Sequence, residues 1–186
     1  MTLVEAELCG HGPSGRNGGF LHGYWSMLGW LRKVLGEAQA LELARAGDGI
    51  LPAMRALGED IWLREAGMIE VATTSQQENV VTRATDTARE LGVPEEAVRL
   101  SRDEVAARCR SPRFGSGVLF RECATVQPAR LARALRRRAL DADVEVFEHT
   151  PPTRVRAGVV ETPGGTTGRA FASSATGTRS SSPRTR

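Results

Sequence analysis

The sequence predicts an α/β fold carrying an α+β insertion, and three observations predict it. A short apolar run at 2–6 passes directly into a glycine-rich turn at 10–19. A stretch with helical period at 128–140 leads into a second β-type run at 144–150. Between them, over 60–122, the hydrophobic period changes more than once. A strand that feeds a glycine turn, and a helix that feeds a strand, are what alternating α/β folds look like in sequence.

Each element has its own local reason. Residues 2–6 read as a short buried strand, and a helix is expected from the turn that follows, with Phe20, Leu21, Tyr24, Trp25 and Leu28 along one face. Residues 37–59 keep the helical period but are interrupted near Gly47 and Gly49. The period then shortens around Gly67, where 61–64 and 68–73 alternate like the two arms of a hairpin. Ser75, with Glu78 three residues on, reads as a helix cap, and Gly92 and Pro94 read as the stop of that helix. Ser101 and Glu104 repeat the capping pattern before Val105. The run 117–122 is a strand candidate, Pro128 suits the first turn of the helix at 128–140, and 144–150 is a strand. A β-meander or hairpin with Gly158 and Gly164-Gly165 in its turns is expected from Thr153.

Composition excludes several classes of function. The chain has 186 residues and a formal charge of +3, enough length for one ordinary core. Four of its 25 basic residues, Arg169, Arg179, Arg184 and Arg186, lie in an acid-free tail, so the body has 21 basic residues against 22 acidic ones. A nucleic-acid module needs a basic face on the folded domain itself, and the arginines of 130–140 read instead as the solvated face of a helix whose apolar stripe is Leu131, Ala134, Leu135 and Ala139. No apolar run approaches the roughly 20 residues of a bilayer span. Cys9, Cys109 and Cys123 have no metal-ligand spacing, and the expected setting is a reducing, cytoplasmic one with no metal. Residues 173–186 hold a single alanine as their only apolar side chain and are expected to be disordered.

The chemistry is concentrated at the first turn. Glu5 stands at the carboxyl end of the first strand, where open α/β sheets bind ligands and where a carboxylate can accept both hydroxyls of a ribose. In 12–19, Gly15, Gly18 and Gly19 allow backbone N–H groups to approach an anion, Ser14 adds a hydroxyl and Arg16 a cationic fork. A helix starting after Gly19 would point its positive end at the same anion. No Ser/His/Asp set is visible, and His11, His22 and His149 read as ordinary polar histidines.

The stretches LVEA and GPSGRNGGF, with GMIEVAT and the segment from Ala124 to Pro151, resemble the D-amino-acid oxidase-like family of FAD-dependent oxidoreductases, in particular the branch that includes gamma-glutamylputrescine oxidases. The resemblance runs from about residue 2 to about residue 166. It implies a partial Rossmann-like FAD-binding domain at 1–59 and 123–168, with an α+β substrate-domain insertion at 60–122. It also implies that Glu5 and Ala6 meet the adenosine ribose and that Ser14, Gly15, Arg16, Asn17, Gly18 and Gly19 line pyrophosphate and flavin. Relatives have valine where this chain has Pro152, whose backbone faces the adenine and has no N–H to offer. The implied reaction is oxidation of an amine or amino acid, a small-molecule substrate, at a C–H next to nitrogen, with FAD as acceptor.

Two departures from the family shape the expectation. The family's opening unit of strand, G-x-G-x-x-G turn and helix does not stand ahead of the Glu5 strand, and the apolar strand of V-V-x-A-T-G-A-W type that follows the hairpin is replaced by FASSATGTRSSSPRTR. The expectation is therefore a truncated flavoprotein whose residues 169–186 are read out of frame. The alternative is a catalytically inactive remnant without cofactor.

Overall fold

The computed structural model describes residues 1–168, so the expectations for 169–186 lie outside the described residues. The chain forms two compact units, one from Met1–Gly18 with the chain from Gln127 onward, the other Gly19–Val126.

In the first unit, β1 (Thr2–Val4) pairs in parallel with β7 (Glu145–Phe147), in the register Thr2 to Glu145 and Val4 to Phe147. Helix α6 (Pro128–Asp141) leads into β7. Pro128 occupies its first turn, as its fixed φ favours, and the Gln127 side chain accepts the Arg130 N–H at 2.7 Å as the cap. Ala134 is fully buried, while Leu135 is half exposed. The expected meander forms as β8 (Arg154–Arg156), β9 (Val159–Thr162) and β10 (Gly165–Gly168), all antiparallel. The first strand departs from expectation by being less covered: Leu3 is 41% exposed, and among the described residues β1 is hydrogen-bonded along one edge only.

The second unit is built round β5 (Gly117–Phe120), which lies between β3 (Met68–Val71) and β4 (Val98–Leu100) in an antiparallel sheet. Every residue of β5 is buried because both faces of that sheet are covered. Val118 and Phe120 pack into a cluster with Trp25, Leu28, Val81 and Cys123. Leu119, on the opposite face, packs with Leu100 and Val105. Around the sheet stand α1 (Leu28–Leu35), α2 (Glu37–Gly47), α3 (Ile50–Ala56), α4 (Ser75–Glu90) and α5 (Arg102–Arg108). The break between α2 and α3 falls at the two glycines that predict it.

Three local expectations are corrected. No helix starts at Gly19: Phe20–Leu21 is a strand, β2, paired with β6 (Ala124–Thr125), and the helix waits until Leu28. Residues 61–64 are not the arm of a hairpin. Trp62 has φ 55°, a left-handed conformation that interrupts a strand, and only Arg64 makes an isolated bridge, to Thr125. The partner of β3 is β5, about 50 residues on. The cap of α4 is Thr74, one residue earlier than expected; its hydroxyl accepts the Gln77 N–H at 3.3 Å. Glu78 instead reaches across to Ser116, accepting its backbone N–H at 2.9 Å and its hydroxyl as well. Two other expected helix signals are found: Ser101 and Glu104 form a complete capping box on α5, and Gly92 at φ 74° closes α4.

Candidate functional site

The ladder between β1 and β7 continues past both strands. Glu5 N–H donates to the Phe147 carbonyl at 2.9 Å, Thr150 N–H donates to the Glu5 carbonyl at 2.8 Å, and His149 N–H donates to the Glu7 carbonyl at 2.8 Å. Glu5 is thus held at the carboxyl end of β1, half-buried, with one carboxylate oxygen accepting the Glu7 N–H at 3.1 Å. The chemistry expected of Glu5 needs this placement, with carboxylate capacity left for a further donor. Ala6 beside it is exposed.

The glycine-rich turn packs on α6, and two of its glycines, Gly10 and Gly15, are required by space. A β-carbon on Gly10, which has φ 83°, would stand 2.4 Å from the Ala132 β-carbon, and one on Gly15 would stand 2.0 Å from the Gly10 carbonyl oxygen. Pro13–Gly15 forms one short 3-10 turn. Asn17 helps hold that turn, its side-chain amide donating to the Pro13 carbonyl at 3.0 Å and the Ser14 carbonyl at 3.2 Å. Ser14, Arg16 and Gly18 are exposed. Among the described residues the Arg16 guanidinium has no hydrogen-bond or ion-pair partner. Gly19, buried at φ 69°, opens the second unit, where its carbonyl accepts the Val126 N–H at 2.8 Å. With β2 following Gly19, no helix starts directly behind this turn.

Pro152 lies exposed in the loop between β7 and β8, and its neighbour Thr153 donates its N–H to the Glu161 carbonyl at 2.8 Å. The first unit also has a cavity of about 450 Å³ lined by Thr2, Val4, Phe147, Thr150, Thr162 and Thr166. It is lined by none of the expected cofactor residues. It lies over one face of the β1–β7 pair.

One residue at the turn escaped the sequence reading. Glu148, directly after β7, accepts the Cys9 N–H at 2.8 Å and a hydrogen bond from the Arg136 guanidinium at 2.9 Å. The Cys9 amide, then the Arg136 cation, hold its carboxyl below the usual carboxylate range. Burial, reinforced by Glu148, pushes the Cys9 thiol up, so this cysteine is not an activated nucleophile.

The second unit has its own cavity, about 230 Å³, lined by residues that include Phe20, His22, Met68, Cys123 and Thr125. Acidic groups near His22 are unusual. Burial raises Glu70 and Glu122, and one Glu122 carboxylate oxygen is buried without a hydrogen-bond partner. Burial likewise pushes the Cys123 thiol up to about 12. Among the described residues no cluster of His, Cys, Asp or Glu could hold a metal ion, and no helix is long and apolar enough to cross a membrane.

A parallel strand pair ending in Glu5 and a glycine-rich turn packed on α6 thus stand together in a mixed α/β fold. The chain belongs to the FAD dependent oxidoreductase family, DAO, whose family model matches residues 1–183. Similar solved structures include glycine oxidase from Geobacillus kaustophilus, 24% identical with a TM-score of 0.70, over 90% of this chain and 46% of that one. Glycine oxidase from Bacillus cereus is 19% identical with a TM-score of 0.68 and the same coverage. L-amino acid deaminase from Proteus vulgaris is 19% identical with a TM-score of 0.65, over 89% of this chain and 39% of that one. At these identities the likeness is one of fold. The chain spans about half the length of the glycine oxidases it matches. No curated protein matches it in sequence.

Proposed function

We propose that this chain carries part of the FAD site of an oxidase that acts on amines or amino acids. The observation that supports the reading best is Glu5 at the end of β1, followed by a turn fitted to α6 that leaves Arg16 exposed and, among the described residues, without a side-chain partner. In this reading Glu5 and Ala6 meet the ribose, while Ser14, Gly15, Arg16, Asn17, Gly18 and Gly19 surround the pyrophosphate and flavin. The backbone at Pro152 lies against the adenine without donating to it. When bound, FAD supplies the acceptor for a hydride from a C–H next to nitrogen; the chain's own part is to bind and orient. Residues 1–59 and 123–168 are assigned to the FAD-binding domain and 60–122 to the substrate domain.

Amine-bearing small molecules are the proposed substrates, and the motifs SGRNGGF and VEVFEHT favour the gamma-glutamylputrescine oxidase branch. Three free cysteines agree with a cytoplasmic setting. A second reading, a catalytically inactive remnant without cofactor, is favoured by β1 being hydrogen-bonded along one edge only among the described residues.

Fusion to the amino-terminal strand–turn–helix and the carboxyl-terminal part of a glycine oxidase tests the activity. Hydrogen peroxide released over a panel of polyamine derivatives and amino acids is the expected result. A folded, FAD-loaded fusion that releases none on any substrate overturns the oxidase reading.

A further inference from the structure

We propose that Glu148 is a positioning residue for the glycine-rich turn: its carboxylate, held between the Cys9 N–H and the Arg136 guanidinium, keeps the chain between β1 and Ser14 seated on α6. The inference rests on the FAD reading only for its consequence, that this seating orients Ser14 and Arg16 toward phosphate.

The geometry joins three separate elements through one side chain. Glu148 is on the segment leaving β7, Arg136 is two turns into α6, and Cys9 lies just ahead of Gly10, the residue that touches Ala132 of the same helix. Both contacts are charge-assisted, at 2.8 and 2.9 Å, and the Glu148 side chain is only 18% exposed. The ladder bonds to Glu5 and Glu7 fix the chain up to residue 7. Beyond that, Glu148 supplies the next tie, and the close contacts of Gly10 and Gly15 follow. A tie at Cys9 therefore decides whether the turn starts in register with α6.

Only a carboxylate can do both jobs. Glutamine offers one acceptor oxygen and one NH₂, so it can receive the Cys9 N–H or face Arg136, but facing Arg136 with its NH₂ opposes donor to donor. Aspartate is one methylene shorter and cannot span the same gap. Glu148 also pairs the Arg136 charge.

The test uses the full chain without any ligand, reading the turn through Cys9. Peptide-resolved alkylation by iodoacetamide and amide hydrogen exchange are compared in the parent, Glu148→Gln and Glu148→Asp, with Glu145→Gln as the control. Cys109, which is exposed, and Cys123, which is buried, serve as internal references. Glu148→Gln is expected to speed Cys9 amide exchange roughly tenfold, the scale of one lost charge-assisted bond; this exchange is the deciding readout, because loss of the Glu148 charge by itself favours the Cys9 thiolate and so its alkylation. Cys109, Cys123 and the α6 amides should keep parental rates. Glu148→Asp should fail to restore Cys9, and Glu145→Gln should match the parent. Unchanged Cys9 rates overturn the proposal, and so does a general acceleration that includes Cys123, which marks a merely structural loss. If Glu148→Gln itself does not fold, Arg136→Gln takes its place: it must speed Cys9 amide exchange over the parent while Cys109 and Cys123 keep parental rates, and an unchanged Cys9 counts against the bridge. An FAD titration of the same proteins separates the two readings. Loosening of Cys9 in a chain whose parent shows no FAD binding leaves this inference standing and removes the FAD reading.

Discussion

Gly10 and Ala132 meet so closely that any side chain on the glycine would overlap the alanine: the β-carbons would be 2.4 Å apart. The same glycine has φ 83°, so the site rejects alanine for conformation as well as for space. Gly10→Ala is expected to destabilise the first unit by about 2–4 kcal/mol, overpacking and backbone strain together. Ala132→Gly in the same chain should recover the steric share and leave the conformational one. Urea unfolding of the two single variants and the double variant measures this coupling. Strict additivity would contradict the contact.

The second unit should be less stable at alkaline pH because of Glu122. Burial raises its carboxyl, one of its oxygens has no partner, and the groups near it are Asp48, His22, Cys123 and Glu96. The folded form therefore holds this proton to a higher pH than the unfolded chain does. Its contribution is complete below the ordinary carboxylate range and is lost as pH rises through the raised value. Glu78 and Glu148, both lowered, act in the opposite sense, and their contribution is lost as pH falls. Glu122→Gln should thus raise the melting temperature at pH 8 by roughly 2–4 °C, about 1 kcal/mol for a chain of this size, with little change near pH 4. Melting curves from pH 4 to 8.5 check it. A variant that melts lower than the parent at pH 8 would contradict it.

Trp25 is 4% exposed and donates its indole N–H to Asp48 at 2.7 Å. Trp25→Phe keeps most of the apolar contact but removes the donor, leaving Asp48 without its indole partner. A loss of about 1–3 kcal/mol is expected in denaturant unfolding. A neutral result would show that the indole contributes by packing alone.

At α5 the reciprocal bonds between Ser101 and Glu104 should make Ser101→Ala cost about 1 kcal/mol, with Ser101→Asp close to the parent. Equal losses in both variants would count against the cap.

What could be read in sequence was local. Ser101 with Glu104, Pro128 at the head of α6 and Gly92 at the end of α4 act within a few residues, so their neighbours in sequence carry the whole signal. Phe20 and Leu21 sit in a helical pattern yet form a strand, because their partner is at Ala124–Thr125, a hundred residues away. Residues 61–64 alternate like a strand but have no arm to pair with once β3 joins β5. The placement of Glu5 at the end of β1 and of Arg16 on the glycine-rich turn is legible from residue type and spacing. Glu148 is not, because its role comes from a backbone amide 139 positions earlier. A signal existed in part: Arg136 on an amphipathic helix directly before a strand ending in glutamate is a pairing that strand and helix periods could have suggested.

The central claim is that Arg16 and its turn hold the phosphates of FAD. Titration of the 186-residue chain with FAD, followed by flavin fluorescence, beside Arg16→Ala and the surface control Arg154→Ala, tests it most directly. Weak saturable binding is predicted, since only one glycine turn of this kind is present to grip the pyrophosphate. Arg16→Ala should weaken it roughly tenfold, the loss of one charge-assisted phosphate contact, and Arg154→Ala should leave it unchanged. Binding by Arg16→Ala that matches the parent across the titration would contradict the account.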